Sequence, residues 1–441
     1  MRLEQGSNIM GSETPVVFVS GFDSYTARDW GRLWKFNTQA QYRHNEQTQW
    51  SFGIAHSSSQ QGDFELLGNY PRRDILTEYT RLFARIDHQF DEDTSGYLRW
   101  FGDYWDMHRQ VVTEHVTYME NDIEGQITFK PMDNHVLSVG GNVRFNRIRT
   151  SNDSTNEDVV GDTDEYWEGF FLMDRWTITE RLTLEGQARL DHFSETTTDY
   201  SARVAALYAL DKQKNHILRT GFARSFRAPN LMLRYLYAAR VGMVPPDKIT
   251  NEGSYSLEAG YIGNLSKSLQ ANVDVYYQRY ERLIGSSRTM PTASFINLDG
   301  ATAYGAECSL CWQHKTGKIT GWYSYNELET DKYSQGFRAY GPSKHKVGLR
   351  SLWHLNKDWV FNTDFSSQSE IEGTGSMVDG LHNVNRLDLS LSHVFAKEKG
   401  EIMVGVTDVF NNTSDPVFDE GYFTAHETPG RTFFMRMQFK F

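Results

Sequence analysis

Apolar and polar residues alternate along most of this chain with a period of two. In LTLEGQARLDHF (182–193), Leu182, Leu184, Gly186, Ala188 and Leu190 share one face, and Thr183, Glu185, Gln187, Arg189 and Asp191 the other. LQANVDVYYQ (269–278) sets Leu269, Ala271, Val273, Val275 and Tyr277 against Gln270, Asn272, Asp274, Tyr276 and Gln278. RLDLSLSHVF (386–395), LSVGGNVRF (137–145) and LFARIDHQF (82–90) follow the same rule. The chain ends RTFFMRMQFKF, with Phe433, Met435, Met437, Phe439 and Phe441 on one side and Phe434 the single break on the other. Successive side chains of a strand point to opposite faces, so this period predicts strands and not helices.

Short polar turns fall at 45–47, 91–96, 130–135, 179–181, 211–215, 264–268, 314–318, 355–358 and 396–400. Longer segments rich in Gly, Ser, Asn, Asp and Tyr lie between them, among them 57–76, 147–165, 227–253, 281–300, 327–343, 366–384 and 411–430. Strict alternation of short and long connections is the mark of an antiparallel meander whose two ends face different surroundings. The pattern predicts roughly 19 strands of about ten residues, enough for a tilted strand to cross a bilayer. An open sheet of that size leaves two edges unpaired, and hydrocarbon tolerates none. The predicted fold class is therefore all-β, a transmembrane antiparallel β-barrel, apolar toward lipid and polar toward the lumen, over residues 32–441. Residues 1–31, with a partial strand at 15–23, are read as the remnant of a missing N-terminal region. Single-chain bacterial barrels have even strand counts, so a few strands are expected to belong before residue 32.

Composition agrees with half-apolar strands. Apolar residues are 39% and aromatics 14% of the chain, with a mean hydropathy of −0.59. Rings anchor strands at both membrane interfaces, which gives so many aromatics a use outside a conventional core. A net charge of −12 carries no footprint for nucleic acid. Cys308 and Cys311 sit three apart in one strand, on opposite faces, and are not expected to pair. No apolar run reaches the ~18 residues of a spanning helix, and MRLEQGSNIMGSETP lacks the apolar centre of a signal peptide. No nucleophile and base fall at one depth on neighbouring strands, so no catalytic residue is assigned; no cofactor and no metal site are implied.

Several stretches together resemble the barrel of a TonB-dependent outer-membrane receptor, over about residues 32–441. GFARSFRAPN (221–230) contains a FRAP stretch, Phe226 to Pro229, like that family's exit from a mid-barrel strand into a long outer loop. NEGSYSLEAGYIG (251–263) matches the return strand through Glu252, Ser256, Glu258 and Gly260, without the usual Asn-Pro-x-Leu lead-in. AYGAECSLCW (303–312) resembles the Gly-x-Glu strand through Gly305 and Glu307, and GVTDVFNNTSDP (405–416) the penultimate strand. RTFFMRMQFKF resembles the terminal strand, whose last aromatic, Phe441, the barrel-assembly machinery is thought to read. The resemblance implies 22 strands, of which about 19 are present, and an N-terminal plug and TonB box that this chain does not show. It implies multi-pass residence in the outer membrane of a Gram-negative bacterium, contact with lipid and lipopolysaccharide, and coupling to TonB only through the missing plug. The implied function is energy-coupled uptake of a scarce nutrient, foremost a ferric siderophore, with cobalamin, haem or glycan as other cargoes. A passive porin-like channel and a soluble all-β binding protein are the rival readings.

Candidate ligand residues cluster in FRAPNLMLRYLYAARVGM (226–243). Arg227, Arg234, Tyr235, Tyr237 and Arg240 suit an anionic or aromatic ligand at the outer mouth; the plainer reading is an aromatic girdle and a structural turn at Pro229. The acidic run 153–169, with Asp158, Asp162, Asp164 and Glu165, lacks EF-hand spacing and reads as a solvated loop. His108, His115, His382 and His426 fall in expected loops, where a haem ligand would stand, though in no known motif. His88, His192 and His393 extend the lipid-side alternation. Tyr104, Trp105, Tyr166, Trp167, Tyr422 and Phe423 are expected in the outer aromatic belt.

Overall fold

The computed structural model describes residues 12–16, 25–29, 31–62, 74–109, 114–152, 161–235, 244–246, 248–287, 294–331, 343–370, 383–396, 399–412, 417–419, 422–426 and 430–439. Nineteen strands form one closed sheet in sequence order. They are β1 (Gly31–Arg43), β2 (Thr48–Gly62), β3 (Asp74–Gln89), β4 (Thr94–Arg109), β5 (Glu114–Phe129), β6 (His135–Asn152) and β7 (Thr163–Thr177). There follow β8 (Leu182–Phe193), β9 (Thr198–Ala209), β10 (His216–Arg227), β11 (Glu252–Ser266), β12 (Leu269–Glu281) and β13 (Ala301–His314). The last are β14 (Gly317–Thr330), β15 (His345–His354), β16 (Trp359–Gln368), β17 (Val384–Phe395), β18 (Gly400–Thr407) and β19 (Thr432–Phe439). One short helix, α1 (Leu231–Tyr235), follows β10. Small two-stranded ribbons, Ser12–Val16 with Tyr25–Asp29, Ile284–Ser287 with Ser294–Asn297 and Val417–Asp419 with Tyr422–His426, lie outside the ring.

Each consecutive pair is antiparallel, as from Leu182↔Tyr208 to His192↔Thr198 between β8 and β9, and the register is continuous except for a shift between Asn264 and Ser266 where β11 meets β12. Strands run from 8 to 18 residues, most of them longer than the ten expected. The short turns close on themselves: His44 N donates to Thr48 O at 3.0 Å, Phe90 N to Thr94 O at 2.9 Å and Leu355 N to Trp359 O at 2.9 Å. Asn356 Oδ1 accepts from the Asp358 and Trp359 amides at 2.8 and 3.0 Å, the side-chain-to-backbone turn that favours Asn there. Lys214 and Ala396 take positive φ of 57° and 51° in such turns.

The expected strict alternation of short and long connections fails at two places. β4 and β5 are joined by residues 110–113 alone, and β8 and β9 by 194–197. β4 and β5 hold 16 residues each, so ladder takes up length that a loop takes elsewhere. The expectation that His108 and His115 lie in a loop is corrected with it, since the two are directly paired across β4 and β5.

Burial is the reverse of a globular core. The most enclosed side chains are Glu165, Asn251, Asp122 and Ser343. Val204 at 60%, Phe170 at 58%, Leu257 at 56% and Leu310 at 53% are exposed on the outward face. The inward face carries ion pairs, among them Arg81–Asp103, Arg99–Glu124 and Arg144–Asp122. Apolar surface of this extent, continuous around a closed sheet, requires hydrocarbon as its solvent. The aromatic pattern is mixed: Tyr104 and Tyr166 are exposed, whereas Trp167 turns toward the interior under the Arg144 guanidinium, 5.1 Å from its ring.

The ring closes where β19 meets β1. With an odd count these two strands run the same way, the one such neighbour relation in the ring. All eight residues of β19 are exposed, and β1 is nearly as bare. Phe441 lies outside the described residues.

An outward Val204→Arg substitution is expected to cost about 2–4 kcal/mol at mid-membrane depth. An inward Gln187→Glu change, opposite Arg203, is expected within about 0.5 kcal/mol of the parent. Reversible urea unfolding of the barrel in lipid vesicles measures both, and equal costs would place the apolar face away from lipid.

Candidate functional site

The loop after β10 is built from local rules. Arg227 ends the strand, Pro229 is buried, and Asn230 Oδ1 accepts from the Leu233 amide at 3.0 Å. That is the N-cap bond that starts α1. Arg234 then folds back: its Nε donates to Pro229 O at 3.1 Å, and its Nη2 donates to Glu165 on β7. The pair is enclosed, with 7% of the Arg234 and 2% of the Glu165 side chain exposed. Removing one member of a buried pair strands the other, at a cost of about 3–5 kcal/mol. Tyr235 Oη donates to Glu195 at 2.8 Å; burial first, and the Glu195 carboxylate second, push its phenol up to about 12. Arg227 Nε donates to Glu252, whose other oxygen accepts from the Ile284 amide at 2.7 Å.

Arg227, Arg234 and Tyr235 are thus brought onto one loop at one rim, and each meets a carboxylate. Tyr237 and Arg240 lie outside the described residues. Phe226 stacks edge-on against Phe193 at 5.8 Å. Arg224, which sequence reasoning passed over, lies 3.9 Å above the Tyr200 ring and 2.8 Å from Asp199. The acidic partners Glu165, Glu195 and Glu252 were also missed as such. In the acidic run, Asp164 and Asp162 are met by Arg147 and Arg149; Asp158 lies outside the described residues.

Below the rim, the inner wall is a network of hydrogen bonds across β3 to β8. Asp103 accepts from Tyr79 Oη at 2.9 Å and from Arg81 at 2.7 and 2.6 Å. Asp122, 1% exposed, accepts from Asn142 at 3.0 Å and Arg144 at 2.9 Å. Arg189 donates to Asn142 at 2.7 Å and clamps Asp191. At the turn end of this wall, a cleft of about 470 Å³ is lined by Arg43, Arg85, Asp87, Tyr97, Gln126 and Thr128 among others.

The motif glycines make this wall possible. Arg219, Gly260 and Asp274 occupy one row on β10, β11 and β12. Arg219 Nε donates to Asp274 at 2.9 Å, spanning the strand between, and a Cβ on Gly260 would meet Arg219 and Asp274. Tyr276, Gly305 and Asn326 repeat the arrangement on β12, β13 and β14; Tyr276 Oη donates to Asn326 across Gly305. Glu307 pairs in register with Asp274, and Glu258 with Gly221.

A closed sheet with a bare apolar outside, a charged inside and connections of up to 24 residues at one end is the anatomy of a membrane-spanning barrel with two unlike ends. The family model described as TonB dependent receptor-like, beta-barrel matches residues 7–407. The chain belongs to that family. This TonB-dependent receptor barrel is accordingly a multi-pass protein of the outer membrane, with its long loops outward and its short turns toward the periplasm. The family and its structural neighbours are transport receptors, not enzymes.

Among solved structures it is similar to the ferric enterobactin receptor of Pseudomonas aeruginosa, with a TM-score of 0.79 at 15% identity, covering 99% of this chain and 72% of that one. The siderophore receptor PirA from Acinetobacter baumannii gives 0.74 at 13%, covering 94% and 71%. The copper transporter OprC gives 0.73 at 15%, covering 95% and 73%. In sequence it is 24% identical over 274 residues to the iron-regulated outer membrane virulence protein of Vibrio cholerae, spanning 57% of this chain and 40% of that protein.

Gly305→Val is expected to cost the receptor barrel about 1–3 kcal/mol through overpacking, because the branched side chain fills the gap Tyr276 crosses. Gly186→Ala, on the outward face with no atom within 4 Å of an added Cβ, serves as the neutral comparison in the same urea titration. At the outer end of β14, hydrogen bonds from Arg279 hold the Asp331 carboxyl below the usual range. A depressed carboxylate contributes its contact at every pH above the ordinary value and loses it as pH falls through the lowered one. The Asp331 carboxyl carbon should therefore titrate by NMR below the range of an ordinary aspartate, and Arg279→Gln should raise that midpoint back toward it.

Proposed function

We propose that this chain is the wall and outer mouth of a receptor for energy-coupled uptake of a ferric siderophore. The observation that carries the proposal is the mouth, where Arg227, with 68% of its side chain exposed, and Tyr235 stand on one loop above a lumen of paired charges. Ferric siderophores are bulky, oxygen-rich and commonly anionic. A guanidinium offers such a ligand charge-assisted hydrogen bonds and a phenol ring offers a stacking face. Arg234 serves the set by fixing the loop through Glu165, and Tyr237 and Arg240 extend it along the sequence. The neighbours whose names include ferric enterobactin and siderophore support this cargo over cobalamin, haem or glycan.

In this proposal the loops capture the iron complex, and the polar wall lets it pass once a plug is drawn aside by TonB. Assembly begins with the barrel-assembly machinery engaging the closing strand, and lipopolysaccharide packs against the outward face.

Uptake of radioactive iron on purified siderophores by iron-starved cells, with and without the full gene, tests the proposal. Loss of uptake of one siderophore on deletion is the expected result. Arg227→Ala should weaken its apparent affinity about tenfold, the worth of one charge-assisted hydrogen bond. Iron uptake unchanged by deletion, alongside a loss of copper uptake, would replace the cargo.

A further inference from the structure

Three metal-ligating side chains meet on the outward wall at the outer end of β4 and β5, apart from the lumen and the mouth. Asp106 and His108 stand two apart on β4, and His115 is the register partner of His108 on β5. All three therefore project from the same face. Their ligating atoms lie within 4.8 Å of one another. The Nε2 atoms of both imidazoles approach a single oxygen, Asp106 Oδ1, at 3.1 Å from His115 and 3.5 Å from His108. The two rings are stacked, 3.9 Å apart and 16° from parallel.

We propose that Asp106, His108 and His115 form a binding site for a divalent transition-metal ion, with zinc as the reference cation. Donors bound at about 2.0–2.1 Å to a tetrahedral centre stand about 3.3 Å apart, and the two distances to Asp106 Oδ1 bracket that spacing. Two imidazoles and one carboxylate select a borderline cation; calcium and magnesium take oxygen ligands instead. Three protein ligands with a fourth position open to solvent describe an exchangeable site.

A second observation supports the carboxylate's role. The Tyr104 hydroxyl donates to the other oxygen, Asp106 Oδ2, at 3.1 Å, fixing the carboxylate plane with Oδ1 turned to the two imidazoles. Outer partners of this kind orient metal ligands and tune affinity. Glu78 on β3 is the register partner of Asp106 and adds negative charge beside the site. Tyr104 is the last aromatic on this face of β4, and Asp106 and His108 lie one and two steps beyond it, the first about 7 Å farther along the strand. The site therefore stands at the outer margin of the apolar band, beside Leu76, the register partner of His108, where a hydrated ion can reach it. The ladder runs one pair past the histidines, to Arg109↔Glu114, which holds the two strands, and with them the two imidazoles, in register.

The test is zinc binding by calorimetry to the full chain, folded in detergent micelles and stripped with EDTA. One saturable ion per chain is expected. A His108→Ala/His115→Ala double variant should lose it, and Tyr104→Phe should weaken it about tenfold. Cobalt in place of zinc should give the visible absorption of a four-coordinate centre in the parent and not in the double variant. The heat-dependent gel shift of a folded barrel confirms that each variant is intact. Undiminished zinc binding in the double variant, or no saturable binding in the parent, overturns the site.

Discussion

A peptide N–H or C=O in hydrocarbon has no water to fall back on, and every other feature of this barrel follows from that one constraint. A sheet meets it only by closing on itself. Closure then divides each strand into two faces with opposite solvents, which is why Val204 and Phe222 are bare while Asp122 and Glu165 are enclosed. In a water-soluble fold such a distribution would be ruinous. Here the apolar side chains meet lipid, and the polar ones meet each other and the aqueous lumen.

Within the lumen, charges are distributed so that few stand alone. Partly exposed pairs such as Arg350–Asp364 add little stability individually, about 0–1 kcal/mol each. Their value lies in a wall that is hydrophilic while its opposite charges are matched side by side. Glycines at Gly260 and Gly305 allow partners two strands apart to touch, which ties triplets of strands together inside the ring. The Arg234–Glu165 pair extends the same logic to the rim, anchoring a surface loop to strand β7.

The fold was legible because its signal is repeated nineteen times; one irregular strand, such as β1 with its run GRLWKFN, does not spoil it. Loop lengths were less legible. Nothing in MHRQVVTEHV (107–116) distinguishes a ladder that continues to Arg109 and resumes at Glu114 from a loop, since His, Arg and Glu suit either. The mouth was half visible: Arg and Tyr stood out as types, but their carboxylate partners are distant in sequence, 69 residues apart for Arg234 and Glu165. The triad at Asp106, His108 and His115 was hidden for a related reason. Its i, i+2 and cross-strand geometry has meaning only once the β4–β5 register is known.

Rows such as Arg219–Gly260–Asp274 and Tyr276–Gly305–Asn326 fasten strands that are not ladder neighbours. Squeezing the cylinder along one diameter has to break those side-chain bonds as well as bend the ladder. The arc from β10 to β14 is in this sense hooped against flattening.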